Sequence, residues 1–128
     1  MAQMSDYLEN KLIDHVFRNF TFPTPGTVYI ALYSTDPTDA DSGTELTGDG
    51  YARKSVTIGA ATNGTASNSA DVLFDTATSD WTAVTHIGIR DEGVGGNLLM
   101  HKILGAPVSV LDTNNFRIPV GDLEITFA

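Results

Sequence analysis

Between Asp36 and Gly50 the sequence reads DPTDADSGTELTGDG, where Asp36, Asp39, Asp41, Glu45 and Asp49 supply five of the chain's sixteen acids and no base occurs. Carboxylates at this density are hard ligands, and Gly43, Gly48 and Gly50 would let the backbone wrap an ion, so calcium binding is the first chemistry to test. The spacing does not fit it. A calcium loop needs oxygens at alternating positions, glycine sixth and glutamate twelfth, and no register of this stretch provides them. Asp36-Pro37-Thr38-Asp39 is itself a turn signature, because aspartate bonds its own downstream backbone and proline presets φ. The plain reading is a solvated connection. Contact with a partner is a second reading, and a cation held weakly by Asp36, Asp39 and Asp41 is a third.

The three histidines, His15, His86 and His101, are where any acid–base or transition-metal scheme would start. None has a companion at ligand spacing along a helix. His86 and His101 fall in expected strands that neighbour each other across Asp91–Asn97, which leaves a two-histidine site open beside the plainer reading of hydrogen-bonded sheet or surface histidines. Nucleophilic catalysis lacks its parts: there is no cysteine, no Gly-x-Ser-x-Gly elbow and no glycine-rich phosphate loop opening a helix. The expectation is a protein without catalytic residues or cofactor.

The elements that must position these groups follow from periodicity. Leu8, Leu12, Val16 and Phe20 recur every four residues, with Ile13 and Phe17 beside them, which predicts an amphipathic helix over 6–20. Ser5 can cap it, Asp6 and Glu9 suit its positive end, and Pro23, Pro25 and Gly26 stop it. After Gly26 the period becomes two: Val28, Ile30 and Leu32 alternate with Tyr29, Ala31 and Tyr33. Further strands are expected over Tyr51–Ile58, Asp71–Phe74, Val84–Arg90, Asn97–Leu104, Phe116–Val120 and Leu123–Phe127. DEGVGGN, from Asp91 to Asn97, reads as a hairpin loop. GAATNGTASNSA, from Gly59 to Ala70, reads as a surface excursion or a weak edge strand. Trp81 is expected to close one end of the core, with a ligand-stacking platform as the alternative.

The fold expected is therefore mainly β: a single domain over 1–128, with an arm at 1–5, the helix, and an antiparallel sandwich or barrel-like unit of seven strands over 27–127. A chain of 128 residues can bury a core without staples. Its net charge of −9 repels phosphate backbones, so nucleic acid is not an expected partner. No apolar run approaches the about 18 residues of a membrane span, and the acidic start does not suit a secretion signal, so the chain is expected to be soluble in a cytoplasm.

Taken together, YLENKLIDHVFRN, VYIALYSTDPT, YARKSVT, SNSADVLF and VTHIGIRDEGVGGNLL resemble a family of small structural proteins of tailed bacteriophages. The resemblance covers nearly the whole chain and implies a virion component with no enzymatic activity and no catalytic residues to carry over. It leaves the place on the particle open. One expectation is a decoration, or cement, protein bound outside the head to the major capsid protein. Another is a tail fibre, spike or adaptor component that contacts tail proteins. A calcium-dependent ligand-binding module centred on the acidic loop is a reading of a different class. Self-association into a homo-oligomer, such as a trimer, is expected with either virion role. The residues expected at an interface are Met1, Ala2, Gln3, Met4, Ser5 and Asp6, as an arm that orders on its partner, and Tyr29 and Tyr33 as anchors. For the two tyrosines the alternative is a second buried sheet face, packed on the helix.

Overall fold

A computed structural model describes Ala2–Phe127. Its one helix, α1 (Asp6–Phe17), starts where the Ser5 hydroxyl accepts the Leu8 amide at 3.2 Å and itself donates to the Leu98 carbonyl. It ends at Asn19, whose φ of 60° lets the amides of Arg18 and Phe20 both return to the Asp14 carbonyl at 3.1 Å. Asparagine tolerates this left-handed geometry, so the helix closes before the prolines and is shorter than the expected 6–20. Only part of its apolar line is covered. Leu8 is buried and Leu12 packs on the core, whereas Ile13, Val16, Phe17 and Phe20 are exposed. Residues four apart drift about 40° around a helix, so the line turns away from the sheet as it proceeds.

The main sheet has the order β1-β7-β6-β2-β3, all antiparallel, formed by β1 (Gln3–Met4), β2 (Val28–Tyr33), β3 (Lys54–Val56), β6 (Val84–Arg90) and β7 (Leu98–Val108). Two small ladders complete the β structure: β4 (Thr65–Ser67) with β9 (Glu124–Thr126), and β5 (Val72–Leu73) with β8 (Arg117–Ile118). No barrel closes among the described residues; the main sheet stays open at both edges. Among the described residues the strands number nine, two more than the seven expected: β1 falls in the expected arm, and β4 in the stretch read as a surface excursion or a weak edge strand. β4 has few apolar groups, yet the chain beside it is held by buried Asn68, which donates to the carbonyls of Ala70 and Pro119 and accepts the Leu123 amide. One polar side chain there does the work that apolar burial does elsewhere.

Each face of the main sheet has its own cover. Ile30, Leu32, Ile87 and Ile89 share a core with Val72, Phe74, Phe116, Ile118 and Leu123 from the ladder side. Phe74 meets Phe116 edge-on at 5.8 Å, and Trp81 meets Tyr51 edge-on at 5.7 Å while its Nε1 donates to the Asp49 carbonyl. Trp81 is thus the expected core anchor. The opposite face presents Ala31 and Tyr33 with Leu98, and close approach there requires Gly88, where a Cβ would lie 2.8 Å from both Leu98 and Tyr33.

Met1 lies outside the described residues. The rest of the expected arm is part of the fold: Gln3 pairs with His101 and Met4 with Met100, while Ala2 and Ser5 are buried. The free-arm expectation is corrected for these residues, because an apolar anchor, a strand ladder and a helix cap already fix them within the chain.

Candidate functional site

The acidic loop lies over the Tyr33 face of the main sheet, and its side chains reach into that face. Antiparallel register puts Tyr29, Ala31 and Tyr33 opposite Arg90, Gly88 and His86. His101 stands beside Gly88 on β7. Strand alternation therefore gathers two tyrosines, two histidines and an arginine on one side. The loop is shaped to meet them. Asp36 accepts the Thr38 amide at 2.8 Å in the expected turn, and Pro37 is fully buried. Gly43 passes so close to Pro37 that a Cβ would come within 2.6 Å of its backbone. Thr38 and Asp41 both take φ of 57°, a left-handed geometry that costs energy outside glycine and is held here by the surrounding contacts.

Arg90 is the centre of the arrangement. Its guanidinium donates to both Asp41 oxygens at 2.8 and 2.9 Å, to the Tyr33 hydroxyl at 2.9 Å and to the Gly96 carbonyl at 2.9 Å. Arg53 repeats the pattern beside it, with Glu45 accepting at 2.7 and 2.8 Å and the carbonyls of Glu92 and Gly95 each at 2.8 Å. Tyr51 links this pair to the sheet by donating to Glu45 at 2.6 Å and accepting the Leu32 amide at 3.0 Å. Two planar guanidinium forks thus tie the acidic loop to the Asp91–Asn97 hairpin.

The electrostatics follow from this geometry. Burial pushes the Glu45 carboxyl up, but hydrogen bonds from Arg53 and Tyr51 and the charges of Arg53 and Arg90 outweigh it and hold the group below its ordinary value. Burial, then hydrogen bonding to Glu45, pushes the Tyr51 phenol far up. Burial likewise raises Tyr33, against the opposing pull of Arg90. Arg90 is held more firmly protonated, since its bonds to Asp41 and Tyr33 outweigh the desolvation that acts first against its charge.

The histidines come together as the strand order suggested, each with a carboxylate nearby. His101 Nε2 donates to Asp39 at 2.7 Å. Asp36 lies 3.9 Å from Nδ1 of the same ring and 3.8 Å from His86 Nε2. Asp36 and Asp39 thus approach His101 on different ring nitrogens, and Asp41 is taken by Arg90. Among the described residues no three His, Asp or Glu side chains form a group that could hold a metal ion. The Asp39 carbonyl also accepts the Asp6 amide at 2.9 Å, joining the loop to the start of α1.

The interface candidates separate. Tyr33 is 1% exposed and its hydroxyl is engaged, so its own chain covers it and the anchor expectation is corrected. The cover is the acidic loop, not the helix of the alternative reading. Tyr29 is half-buried against Gly93 and lines a groove of about 400 Å³ with Pro23, Pro25, Asp91 and Glu92. Gln3 and Asp6 are exposed and Met4 is half-buried. The residues missed from sequence are Arg53 and Arg90; the signal was an arginine at a register position pointing into an otherwise apolar sheet, near an excess of acids.

Among the described residues no helix is long and apolar enough to cross a membrane. A comparison with curated proteins gave no match. A family model described as Podophage GP4 fiber I protein gp80 matches residues 3–126, and the chain therefore belongs to that family of phage virion structural proteins.

Proposed function

We propose that the chain is a fibre-type structural subunit of the virion, working without enzymatic activity by burying surface against neighbouring virion proteins. The observation that carries this reading is the match of a family named for a fibre protein over residues 3–126. The geometry of the acidic loop supports it. Asp39, Asp41 and Glu45 are joined to His101, Arg90 and Arg53 within the chain, so the loop stiffens a surface. A rigid, acidic, cysteine-free domain suits assembly in one environment and persistence in another.

Immunogold labelling and quantitative mass spectrometry of purified particles test the reading. A small fixed copy number with label confined to the tail or its appendages is the expected result. Label spread evenly over the head would replace the fibre role by decoration of the capsid, and absence from intact particles would overturn a virion role altogether.

A further inference from the structure

The groove beside Tyr29, about 400 Å³ in volume, has walls of two kinds. One is the stretch after the helix, where Pro23 and Pro25 fix φ and add apolar rings to the lining. The other is the start of the Asp91–Asn97 hairpin, which Arg53 holds in place by donating to the Glu92 carbonyl at 2.8 Å. Tyr29 lies between them, with its ring packed on Gly93, where a Cβ would stand 3.5 Å away. The groove is therefore formed before anything enters it, which lowers the cost of binding. Its charge is wholly negative. Both Asp91 oxygens accept from Asn97, at 2.6 and 3.0 Å, which positions that carboxylate without neutralising it. Glu92 is exposed and, among the described residues, has no ion-pair partner.

We propose that this groove takes an arginine-bearing segment of a neighbouring protein, with the guanidinium against Tyr29 and facing Asp91 and Glu92. Charge complementarity selects a cation, and the chain has little of its own to offer. Arg18, Arg53, Lys54, Arg90 and Arg117 are already ion-paired, which leaves Lys11 and Lys102 of its seven bases against a net charge of −9. Geometry selects arginine over lysine, because a planar guanidinium stacks on an aromatic ring and still forks to a carboxylate. The chain uses that arrangement once itself: the Arg18 guanidinium lies 4.6 Å from the centre of the Phe20 ring while donating to Asp14 at 2.9 Å. Size selects a peptide segment over a free cation, since the groove has room for more than one guanidinium and its prolines suit the apolar stem of the side chain. The inference deepens the virion reading, naming one contact surface of the subunit, and rests on it for the partner's being a protein of the particle.

The test titrates the capped peptide Gly-Ala-Arg-Ala-Gly, to about 5 mM, into the isotope-labelled full chain and follows backbone amide shifts, a range suited to a weak contact. Saturable shifts confined to residues 23–29 and 91–93 are expected, weaker with lysine in place of arginine and absent with norleucine. Added salt should reduce them, because the groove is open to solvent. Glu92→Gln should weaken binding about threefold at an unchanged melting temperature, as expected for one exposed charge pair. Tyr29→Leu should abolish the preference for arginine over lysine; should that variant fail to fold, Glu92→Gln carries the test. No shifts at the groove, an equal response to norleucine, or binding indifferent to Glu92→Gln would each overturn the proposal. Guanidinium ion alone binding as well as the peptide would make this a small-cation site, and the same shifts on concentrating the chain without peptide would make the occupant a second copy; either replaces the proposal. None of these outcomes bears on whether the chain is found in particles, so the two readings fail separately.

Discussion

The acidic loop and the outward side of α1 contrast in what the chain supplies to each. The loop holds five carboxylates within fifteen residues, yet Asp39 and Asp41 are matched by His101 and Arg90 from strands far along the chain, and Glu45 by Arg53 just beyond the loop. The helix surface holds ordinary apolar residues, and its own chain offers them no cover. Reactive residue types therefore mark the finished region here, and bland ones mark the unfinished one. The physical reason is that a buried charge without a partner is costly, so a fold must complete it internally, whereas an exposed apolar patch can wait for a second molecule.

The contrast breaks first if the Arg90 network is not structural. Arg90→Ala leaves the buried Tyr33 hydroxyl and the partly exposed Asp41 without their donor, and should lower stability by about 3 kcal/mol. Urea denaturation of the variant and the parent would show the shift in midpoint. Asp39→Ala with Asp41→Ala should also destabilise strongly, to the same extent with calcium or with chelator. A stabilisation of the parent by calcium that this double variant abolishes would return the loop to cation binding.

Glu45 sharpens the comparison through pH. Its folded pKa lies below the ordinary 4.5, so its contribution is complete above about that pH and is lost as pH falls through the folded value. Glu45→Gln should cost about 1–3 kcal/mol near neutrality. It should also flatten part of the acid limb of a melting-temperature profile. A remainder should persist because hydrogen bonds from Arg117 hold Asp71 low as well. At the alkaline end, the raised phenols of Tyr33 and Tyr51 stabilise the fold below about pH 10, and that contribution fades as pH rises toward their folded values. Phenolate absorbance at about pH 11 should therefore step up on unfolding. Its absence would mean that these hydroxyls are open to water.

The smallest effect is expected on the other side of the comparison. Phe17→Ser should change monomer stability by no more than about 0.5 kcal/mol, because the side chain touches little of its own fold. A larger loss, measured in dilute solution by thermal melting, would show that the helix surface is part of the monomer's core after all.

Much of the architecture was legible from local pattern. Val84–Arg90 is a strand over its expected range, the Ser5 cap and the acidic first turn start α1 at Asp6, and Asp91–Asn97 joins paired strands. The segment from Gly59 to Ala70 was legible as a surface excursion or a weak edge strand; β4 makes it the strand, and the order around it comes from one buried asparagine bonding across to the C-terminal region. In the candidate site, the nearness of His86 and His101 could be read from strand order. The role of Arg90 could not, since Arg90 and Asp41 stand 49 positions apart in the chain, whereas Arg53 is only eight positions from Glu45 and was within reach of a local reading.

By itself the sequence determined the class of the fold, the start of its helix, the period of its longest strands, an acidic cysteine-free surface and membership in a recognisable phage family. These depend on residues within a few positions of one another, or on composition, so no packing knowledge is needed. Only the tertiary structure decided that Gln3 and Met4 pair with β7, that Asp39, Asp41 and Glu45 are matched internally, and that half of the apolar line on α1 faces water. Those outcomes depend on which distant surfaces meet. A residue spacing can state that a group needs a partner, but the long-range packing of sheet and loops determines which groups receive one.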